Sequence, residues 1–289
     1  MESAHSRVAA LVEALPYVQR WTGRTVVIKY GGAAQQGEEL ARAVMEDVVL
    51  LSLVGVRVVL CHGGGPAVSE MGRRLGLSPQ FVDGLRVTDL ATMRVAQQVQ
   101  VGLISRDIVA SIGRRGGRAV GLSGHDGGGW LRAAPRMHTS RETGLPVDLG
   151  RVGDVTECHV ELLRSLLAAG QIPVIAPVAV DEQMESLNVN ADQVATAVAS
   201  ALGAARLIFL TDVEGIRGPD GQTVSTVSEE QLRAWLLDGT VSGGMVPKVE
   251  ACLEARAGGV ERVTVADGRM AHAVLLELLT EQGVGTLVE

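Results

Sequence analysis

A lysine ends a run of β-branched residues near the start of the chain, and two glycines follow it almost at once. The segment is TVVIKYGG, residues 25–32, and the lysine is Lys29. An unpaired ammonium group is costly inside a buried strand, because it loses its hydration there. The position of Lys29 therefore raises the question of which charged group it faces.

Two glycine-rich segments later in the chain have the features of anion sites. They are HGGGPAVSE, residues 62–70, and SGGMVPKVEA, residues 242–251. Glycines let the backbone approach a ligand, and Pro66 and Pro247 suit the first turn of a following helix, whose free amides favour an anion. Lys248 opposes that helix dipole at a cost of about 0.3–1 kcal/mol, which a bound anion would offset. A tight turn and an ordinary surface lysine are the alternatives.

Three further segments place polar residues at element boundaries. NVNADQ puts Asp192 at a helix start, where Asn190–Gln193 also matches a capping box. FVDGLRVTD, residues 81–89, sets Arg86 between apolar residues, where it suits either a bound carboxylate or an intramolecular salt bridge. TDVEGIRGPDG, residues 211–221, is a strand end with a turn that either holds a nucleotide or only reverses the chain.

The histidines and cysteines show no catalytic or metal-binding pattern. His62 lies beside three glycines and His125 lies in SGHDGG, where loop packing or surface exposure is the usual role. Since no Ser/His/Asp arrangement and no His/Cys cluster stands out, hydrolase and metalloenzyme readings are disfavoured and no protein metal site is expected. The three isolated cysteines indicate a reducing compartment without disulfides.

Composition narrows the class of protein further. The 289 residues carry a net charge of −7 and no long basic run, which disfavours nucleic-acid binding. The most apolar stretch, residues 48–60, is interrupted by Gly55 and Arg57, so no membrane span is expected. The first 20 residues lack the apolar core of a signal peptide. We therefore expect a cytoplasmic protein.

Short apolar runs alternate with helical patterns along most of the chain. The expected strands are Thr25–Lys29, Arg57–Cys61, Arg118–Leu122, Ile172–Pro177, Leu207–Thr211 and Arg262–Ala266. The expected helices are Glu38–Leu53, Pro66–Leu75, Ala91–Arg114, Glu161–Ala169, Ala191–Leu202 and Pro247–Ala257. This alternation predicts an α/β fold with a mainly parallel sheet covered by helices on both faces. Ligands of such sheets bind at the carboxyl ends of the strands.

Three segments depart from the alternation. Residues 126–156 are rich in Gly and Arg and predict a β-hairpin or lid, with a disordered insertion as the alternative. Residues 180–187 form a polar connection that suggests two lobes, 1–180 and 181–289. Residues 6–21 predict an amphipathic helix that packs on its own lobe or on a partner subunit.

Taken together and in order, these segments resemble the N-acetyl-L-glutamate kinases of the amino acid kinase family. The shared motifs are KYGG, VVLLSLVG, HGGGP, FVDGLRVTD, GGRAVGLSG, VDLGRVGDV, IPVIAP, NVNAD, TDVEG, SGGMVPKVEA, DGR and GVGTLV. The resemblance implies a three-layer, two-lobed fold with an eight-stranded sheet, amino-acid binding in the N-terminal lobe and nucleotide binding in the C-terminal lobe. It implies ATP-dependent phosphorylation of the γ-carboxylate of N-acetyl-L-glutamate in arginine biosynthesis, with Mg²⁺ held mainly by phosphates.

The resemblance also implies a role for each matching residue. Lys29 and Lys248 would stabilise the transferring phosphoryl group, and Asp192 would orient both lysines. The implied substrate-binding residues are Gly64, Gly65, Arg86 and Asn188, and the implied nucleotide-binding residues are Gly31, Gly32, Asp212, Gly215, Ser242 and Gly244.

Both ends of the chain resemble the arginine-inhibited branch of the family. In that branch an N-terminal helix joins dimers into a hexamer, and arginine binds between this helix and the C-terminal lobe. The expected contacts of L-arginine are Tyr17, Glu277, Gly283 and Gly285. The PII protein regulates some branches, and no motif in this chain decides whether it binds.

The chain departs from the family pattern at two places. Ala33 and Ala34 stand in the loop where an asparagine is usual, and His125 replaces a common lysine, so contacts near the phosphates are expected to differ. Two other functions remain open: a kinase for a carrier-protein-linked aminoadipate or glutamate, and a non-catalytic arginine sensor. Carrier-dependent relatives typically lack the N-terminal helix, and retention of both lysines argues against a sensor.

Overall fold

The helices and strands alternate along the chain as the sequence predicts. The computed structural model describes residues 4–35, 37–140 and 142–289. The strands are Thr25–Tyr30 (β1), Arg57–His62 (β2), Gln80–Val82 (β3), Leu85–Val87 (β4), Ala119–Leu122 (β5), Leu131–Thr139 (β6), Pro146–Cys158 (β7), Ile172–Ile175 (β8), Val178–Val180 (β9), Ser186–Val189 (β10), Arg206–Thr211 (β11), Thr226–Val227 (β12), Val263–Asp267 (β13) and Thr286–Val288 (β14).

The helices fall within two residues of their predicted bounds, except where a π-helix interrupts the helix predicted over residues 91–114. They are Ala4–Trp21 (α1), Glu38–Leu53 (α2), Gly65–Arg74 (α3), Leu90–Gln97 (α4), Ser105–Arg114 (α5), the single turn Asp126–Gly129 (α6), Glu161–Ala168 (α7), Ala191–Leu202 (α8), Glu229–Leu237 (α9), Val246–Ala257 (α10) and Ala273–Leu279 (α11). Short 3₁₀ helices occupy Gly32–Gln35 and Gly243–Met245.

An eight-stranded sheet forms the centre of the protein, with strand order β12-β14-β13-β11-β1-β2-β8-β5. Its pairs are parallel except for β13 with β14. Strand β1 lies between β11 and β2, so Val26 is paired with both Arg206 and Val58. The sheet therefore contains strands from both sides of residue 180, where the sequence suggests a lobe boundary.

Helices cover both faces of this sheet, which gives the expected three layers. Side chains of one strand alternate between the faces. Val27 belongs to the core under α7, α8, α9 and α10, whereas Val26 and Ile28 belong to the core under α2, α5 and α11. Lys29, two residues after Val27, therefore points to the face that carries α8 and α10.

Antiparallel strand pairs supplement the central sheet. Residues 126–156 contain most of the β6–β7 hairpin, which confirms the hairpin form of that prediction; β9 and β10 pair with it. Residues 180–187 span the β9–β10 turn and the strand ends beside it, and in this turn the Asp181 carboxylate accepts from the amides of Gln183 and Glu185.

The β3–β4 hairpin was not predicted. Its two turn residues, Asp83 and Gly84, have φ values of 50° and 81°. Asp-Gly is the usual sequence of such a two-residue turn, so the signal was present within FVDGLRVTD.

The predicted helix over residues 91–114 is interrupted in its middle. Gln98–Ile104 form a π-helix between α4 and α5, and the three segments follow one another without a break. A π-helical stretch is rare and often lies beside a functional site. It brings Gln100, which is only 5% exposed, into the protein interior.

The C-terminal end of helix α1 is attached to the C-terminal part of the chain. The indole N–H of Trp21 donates to the Leu278 carbonyl at 2.8 Å. Toward the other end, Leu11 and Val12 are 74% and 64% exposed. No helix in the described ranges is both long and apolar enough to span a membrane.

Candidate active site

A carboxylate joins two lysines at the carboxyl edge of the sheet. Asp192 Oδ1 lies 2.8 Å from Lys29 Nζ, and Asp192 Oδ2 lies 3.4 Å from Lys248 Nζ. The three side chains are 16%, 12% and 21% exposed, respectively. The sequence contains 26 Lys and Arg residues, of which only Lys29 and Lys248 are lysines. Asp192 is therefore the charged group that Lys29 faces.

Three different elements deliver these side chains to one point. Lys29 is the penultimate residue of β1, Asp192 is the second residue of α8, and Lys248 is the third residue of α10. Helix α8 begins here because the Asn190 side chain accepts from the Asp192 amide at 2.7 Å. A carboxylate in the first turn is also favoured by the helix dipole.

The capping-box interpretation of Asn190–Gln193 is wrong in its second half. A capping box requires the Gln193 side chain to bond the backbone amide of Asn190. Gln193 instead accepts from the Val155 amide and donates to Asp154 Oδ1, both at 3.3 Å. The β7 strand offers it these partners, so it ties α8 to the hairpin.

The electrostatics of the cluster keep Asp192 ionised. Burial acts to raise the pKa of the Asp192 carboxyl, but Lys29 and Lys248 outweigh it, and the pKa lies below its ordinary value. Two positive charges thus share one negative charge. The cluster carries a net charge of about +1 at neutral pH, which suits an anionic ligand.

Gly31 leaves room for the Lys29 ammonium group. A Cβ atom at residue 31 would lie 2.9 Å from Lys29 Nζ, so a side chain there would displace the lysine. Gly32 follows with a φ of +58°, a conformation that favours glycine. The side chains of Ala33 and Ala34, where a departure from the family loop was expected, lie outside the described part of the structure.

A cavity of about 260 Å³ opens beside the cluster. Its lining includes every residue for which substrate binding was predicted, together with Lys29 and Asp192: Gly64, Gly65, Arg86 and Asn188. Asn188 donates to Thr88 Oγ1 at 3.5 Å. The structure therefore brings the predicted substrate-binding and phosphoryl-transfer residues to one place.

Arg86 is held in place on the wall of this cavity. Its Nη2 donates to the Gly65 carbonyl at 2.9 Å and to Ser69 Oγ at 2.7 Å, and its guanidinium lies 4.8 Å from the centre of the Phe81 ring. Burial lowers the pKa of Arg86, yet an arginine remains charged at neutral pH. Both hydrogen bonds use the same nitrogen, so other N–H groups of the fork are free to bind a carboxylate.

Four of the six predicted nucleotide-binding residues lie in the C-terminal part of the chain. Ser242 and Gly244 are exposed in the loop that leads directly into α10 and Lys248, and Asp212 is exposed at the end of β11. Gly215 is buried, and a Cβ there would lie 2.5 Å from Thr286 Oγ1. The structure thus gives Gly215 a packing role against β14.

The four residues predicted to contact arginine line one cavity of about 620 Å³ between α1 and the C-terminal segment. They are Tyr17, Glu277, Gly283 and Gly285. Glu277 is buried and already accepts from Arg206, from Thr264 Oγ1 at 3.1 Å and from the Val284 amide at 3.1 Å. A ligand of this cavity would have to share that carboxylate.

His62 and His125 lie outside the Lys29–Asp192–Lys248 cluster, and His62 is the last residue of β2 rather than a loop residue. His62 is fully buried, and burial lowers its pKa to about 4, so it is neutral at pH 7. His125 Nε2 lies 3.2 Å from Ser186 Oγ, in the β9–β10 region. No group of three or more His, Cys, Asp or Glu that could hold a metal ion occurs within the described ranges.

Sequence reasoning missed Gln100 in the cavity wall. Its Oε1 is buried and has no hydrogen-bond partner among the described residues. No motif singles out this residue, because an uncharged glutamine within a helical pattern gives no signal of its own.

Comparison with known proteins supports a common origin along the whole chain. The model of the amino acid kinase family matches residues 24–267. The acetylglutamate kinase of Symbiobacterium thermophilum is 50% identical over 99% of both chains, and that of Heliobacterium modesticaldum is 47% identical over 100% of this chain and 99% of its own.

Solved structures agree with the sequence comparison. The N-acetylglutamate synthase from Neisseria gonorrhoeae, complexed with coenzyme A and N-acetyl-glutamate, has a TM-score of 0.84 and 28% identity over 99% of this chain. This chain spans only 63% of that longer protein. The complex of a synthase from the same organism with coenzyme A and L-arginine has a TM-score of 0.81 and 26% identity over 99% of this chain and 65% of its own. The chain belongs to the amino acid kinase family.

Proposed function

We propose that this chain transfers the γ-phosphoryl group of ATP to the γ-carboxylate of N-acetyl-L-glutamate, the second step of arginine biosynthesis. The observation that carries the proposal is the Lys29–Asp192–Lys248 cluster beside the cavity that contains Arg86. The full-length relatives named acetylglutamate kinase, at 50% and 47% identity, support the choice of substrate.

The reaction needs positive charge and alignment rather than a base. A glutamate side-chain carboxyl has a pKa of about 4.3 and is ionised at neutral pH, so it needs no group to remove a proton before it attacks. A carboxylate oxygen forms the new bond to the γ-phosphorus, and ADP leaves with the electrons of the broken P–O bond. Negative charge grows on the transferring and leaving oxygens, where ammonium groups stabilise it.

Each member of the cluster has a defined part in this reaction. Lys29 extends from β1 at the edge of the substrate cavity, and Lys248 extends from the first turn of α10, next to the Ser242–Gly244 loop. We assign both ammonium groups to the transferring phosphoryl group. Asp192 bonds both lysines and so holds two like charges within reach of one site.

The substrate cavity provides partners for the rest of N-acetyl-L-glutamate. Arg86 is assigned to the α-carboxylate, since its guanidinium is fixed by Ser69 and by the Phe81 ring. The amides of Gly64 and Gly65, at the start of α3, are assigned to the γ-carboxylate, because a helix N-terminus favours an anion.

The described residues near the cluster do not form a site for Mg²⁺ by themselves. Asp192 is the carboxylate that lines the cavity, and both of its oxygens already face lysines. Mg²⁺ is proposed to enter with ATP, held by phosphate oxygens and water, as is common for this ion.

Substrate preference tests the proposed function directly. With ATP present, kcat/KM for N-acetyl-L-glutamate is expected to exceed that for glutamate and for aspartate by roughly 10²-fold or more, because the α-ammonium group of those amino acids would face Arg86 and Lys29. ADP release measured with the three acceptors in parallel gives these values. Equal rates with all three acceptors would contradict the assignment.

The second cavity is proposed to bind L-arginine as a feedback inhibitor. Tyr17, Glu277, Gly283 and Gly285 all line it, and α1 closes one side. The buried carboxylate of Glu277 is the natural partner for a guanidinium. The synthase complex with L-arginine adds support, since 99% of this chain matches that structure.

Helix α1 is also proposed to join dimers into a hexamer. Its outer face carries four exposed apolar side chains in a helical spacing, Val8, Leu11, Val12 and Leu15. A helix with such a face is stabilised by packing against a second helix. A second copy of α1 presents a face of the same composition.

Removal of residues 1–20 is expected to convert a hexamer into a dimer and to abolish inhibition by L-arginine. The deletion removes both the exposed apolar face of α1 and Tyr17 from the arginine cavity. Light scattering after size-exclusion chromatography measures the mass, and kinase assays with and without arginine measure the inhibition. A full-length protein that is already dimeric would contradict the assembly.

A further inference from the structure

Gln100 is the buried polar residue of the substrate cavity whose position the proposed reaction leaves unexplained. It is 5% exposed, lines the same cavity of about 260 Å³ as Arg86 and Asn188, and its Oε1 has no hydrogen-bond partner in the described structure. An unpaired hydrogen-bond acceptor inside a protein is unfavourable unless a ligand donates a hydrogen bond to it. The residue lies in the π-helical segment Gln98–Ile104.

The loop that contains Gly64 restricts the position of the Gln100 side chain. A Cβ atom at Gly64 would come within 3.1 Å of Gln100 Cγ and 3.8 Å of Nε2, so the backbone of residue 64 packs directly against this side chain. The same Cβ would lie 2.7 Å from Ile104 Cδ1, at the other end of the π-helix. The π-helix therefore packs on the loop that is assigned to the γ-carboxylate.

The chemistry of the substrate indicates which group Gln100 meets. N-acetyl-L-glutamate presents two carboxylates, which accept hydrogen bonds, and one acetamido group, which contains its only N–H donor. Lys29, Arg86 and the glycine amides are donors that suit the carboxylates. The acetamido N–H requires an acceptor instead.

Two other side-chain acceptors of the cavity, on Asn190 and Asp192, are already engaged, and Asn188, whose Nδ2 donates to Thr88 Oγ1, is only half-buried. Asn190 Oδ1 accepts from the Asp192 amide at 2.7 Å, and both oxygens of Asp192 face lysines. Gln100 Oε1 remains buried and unpaired. Its amide also suits the acetyl carbonyl through Nε2, so a carboxamide here complements an amide better than it complements a carboxylate.

We infer that Gln100 binds the acetamido group of the substrate, with Oε1 accepting from the substrate N–H, and thereby selects for the N-acetyl amide. This role rests on the proposed function. It makes Gln100 a substrate-binding residue rather than a group that acts on the phosphoryl transfer. Its removal should therefore weaken substrate binding and leave the chemical step unchanged.

The test compares the wild-type protein with Gln100→Met, which keeps the length of the side chain and removes its polar atoms. KM for N-acetyl-L-glutamate is expected to rise by about 10-fold, with kcat and KM for ATP unchanged. The thermal midpoint of unfolding should equal or exceed that of the wild type, because a buried unpaired oxygen is removed. A glutamine that only stabilised the fold would show the opposite change in the midpoint.

A substrate analogue identifies the atom that is bound. In 2-acetoxyglutarate an ester oxygen replaces the amide N–H, and the carboxylates are unchanged. The wild-type protein is expected to prefer N-acetyl-L-glutamate by about 10-fold in kcat/KM, and Gln100→Met should lose most of that preference. The exposed neighbour Gln98, changed to methionine, is the matched control and should behave as the wild type.

The outcomes separate the two proposals. A wild-type protein without activity on N-acetyl-L-glutamate contradicts the proposed function. An active wild type whose Gln100→Met variant keeps the same KM, or the same preference for the amide over the ester, overturns the role of Gln100.

Discussion

Replacement of Lys248 by alanine is expected to lower kcat by roughly 10²–10³-fold, with little change in thermal stability. The ammonium group lies 3.4 Å from Asp192 and is 21% exposed, so its loss removes charge stabilisation without emptying a hydrophobic core. Lys29 stays paired with Asp192 at 2.8 Å and keeps the carboxylate compensated. Steady-state kinetics with ATP and N-acetyl-L-glutamate, together with thermal unfolding, measure both quantities.

Arg233→Ala provides the matched control for the loss of a positive charge. Arg233 is 59% exposed on α9 and faces Glu229 at 3.9 Å, so its removal should leave kcat unchanged. Turnover of Lys248→Ala at the wild-type level would exclude Lys248 from the reaction. Such a result would also reopen the interpretation of the chain as a non-catalytic arginine sensor.

Replacement of Asp192 by asparagine is expected to lower the free energy of unfolding by about 3 kcal/mol at pH 7. The Asp192 side chain is 16% exposed. Without its negative charge, the ammonium groups of Lys29 and Lys248 repel each other. Burial opposes ionisation of Asp192, but the lysines outweigh it, and the pKa lies below the ordinary value of 3.8. The unfolded chain therefore binds this proton more readily than the folded chain.

That difference sets the direction of the pH dependence. The stabilisation by ionised Asp192 is fully present above the ordinary pKa of 3.8 and is lost as the pH falls through the lower pKa of the folded state. The stabilities of the wild type and of Asp192→Asn should therefore converge at acid pH. Urea unfolding at a series of pH values measures the convergence.

Asp148→Asn is the control for this variant. Asp148 is exposed and accepts from the Gly150 amide at 2.7 Å, a bond that asparagine can also make. Added ATP should reduce the stability deficit of Asp192→Asn, since its phosphates supply the missing negative charge. A deficit that is independent of both pH and ATP would show that Asp192 does not act as the counter-ion of the lysines.

The site could be assembled from sequence because its parts follow strands or begin helices. Lys29 lies near the end of β1, and Asp192 and Lys248 lie in the first turns of α8 and α10. Parallel strands bring such positions to one edge of the sheet. The strands themselves were predictable, since runs such as residues 58–61 are uniformly apolar and lie between two glycines, Gly55 and Gly63. The family resemblance then gave each residue its proposed role.

Other features depend on tertiary contacts that leave no local signal. The Gln98–Ile104 π-helix has the same apolar spacing as an ordinary helix, so its extra residue per turn was not predictable. The Gln193 side chain bonds Val155 and Asp154 of β7 instead of the Asn190 amide, which a capping box would require. Gly215 resembles a nucleotide-loop glycine in sequence, although its contact with Thr286 arises only when β14 joins the sheet.

Arginine supplies the remaining basic side chains of this protein, and its two lysines meet at a single carboxylate. A reagent that acylates primary amines therefore finds no side-chain target away from this cluster. Every adduct on a lysine would report on the proposed phosphoryl-transfer site, and protection by ATP would report on its occupancy. Coupling the protein to a solid support through lysine would for the same reason consume the residues on which turnover depends.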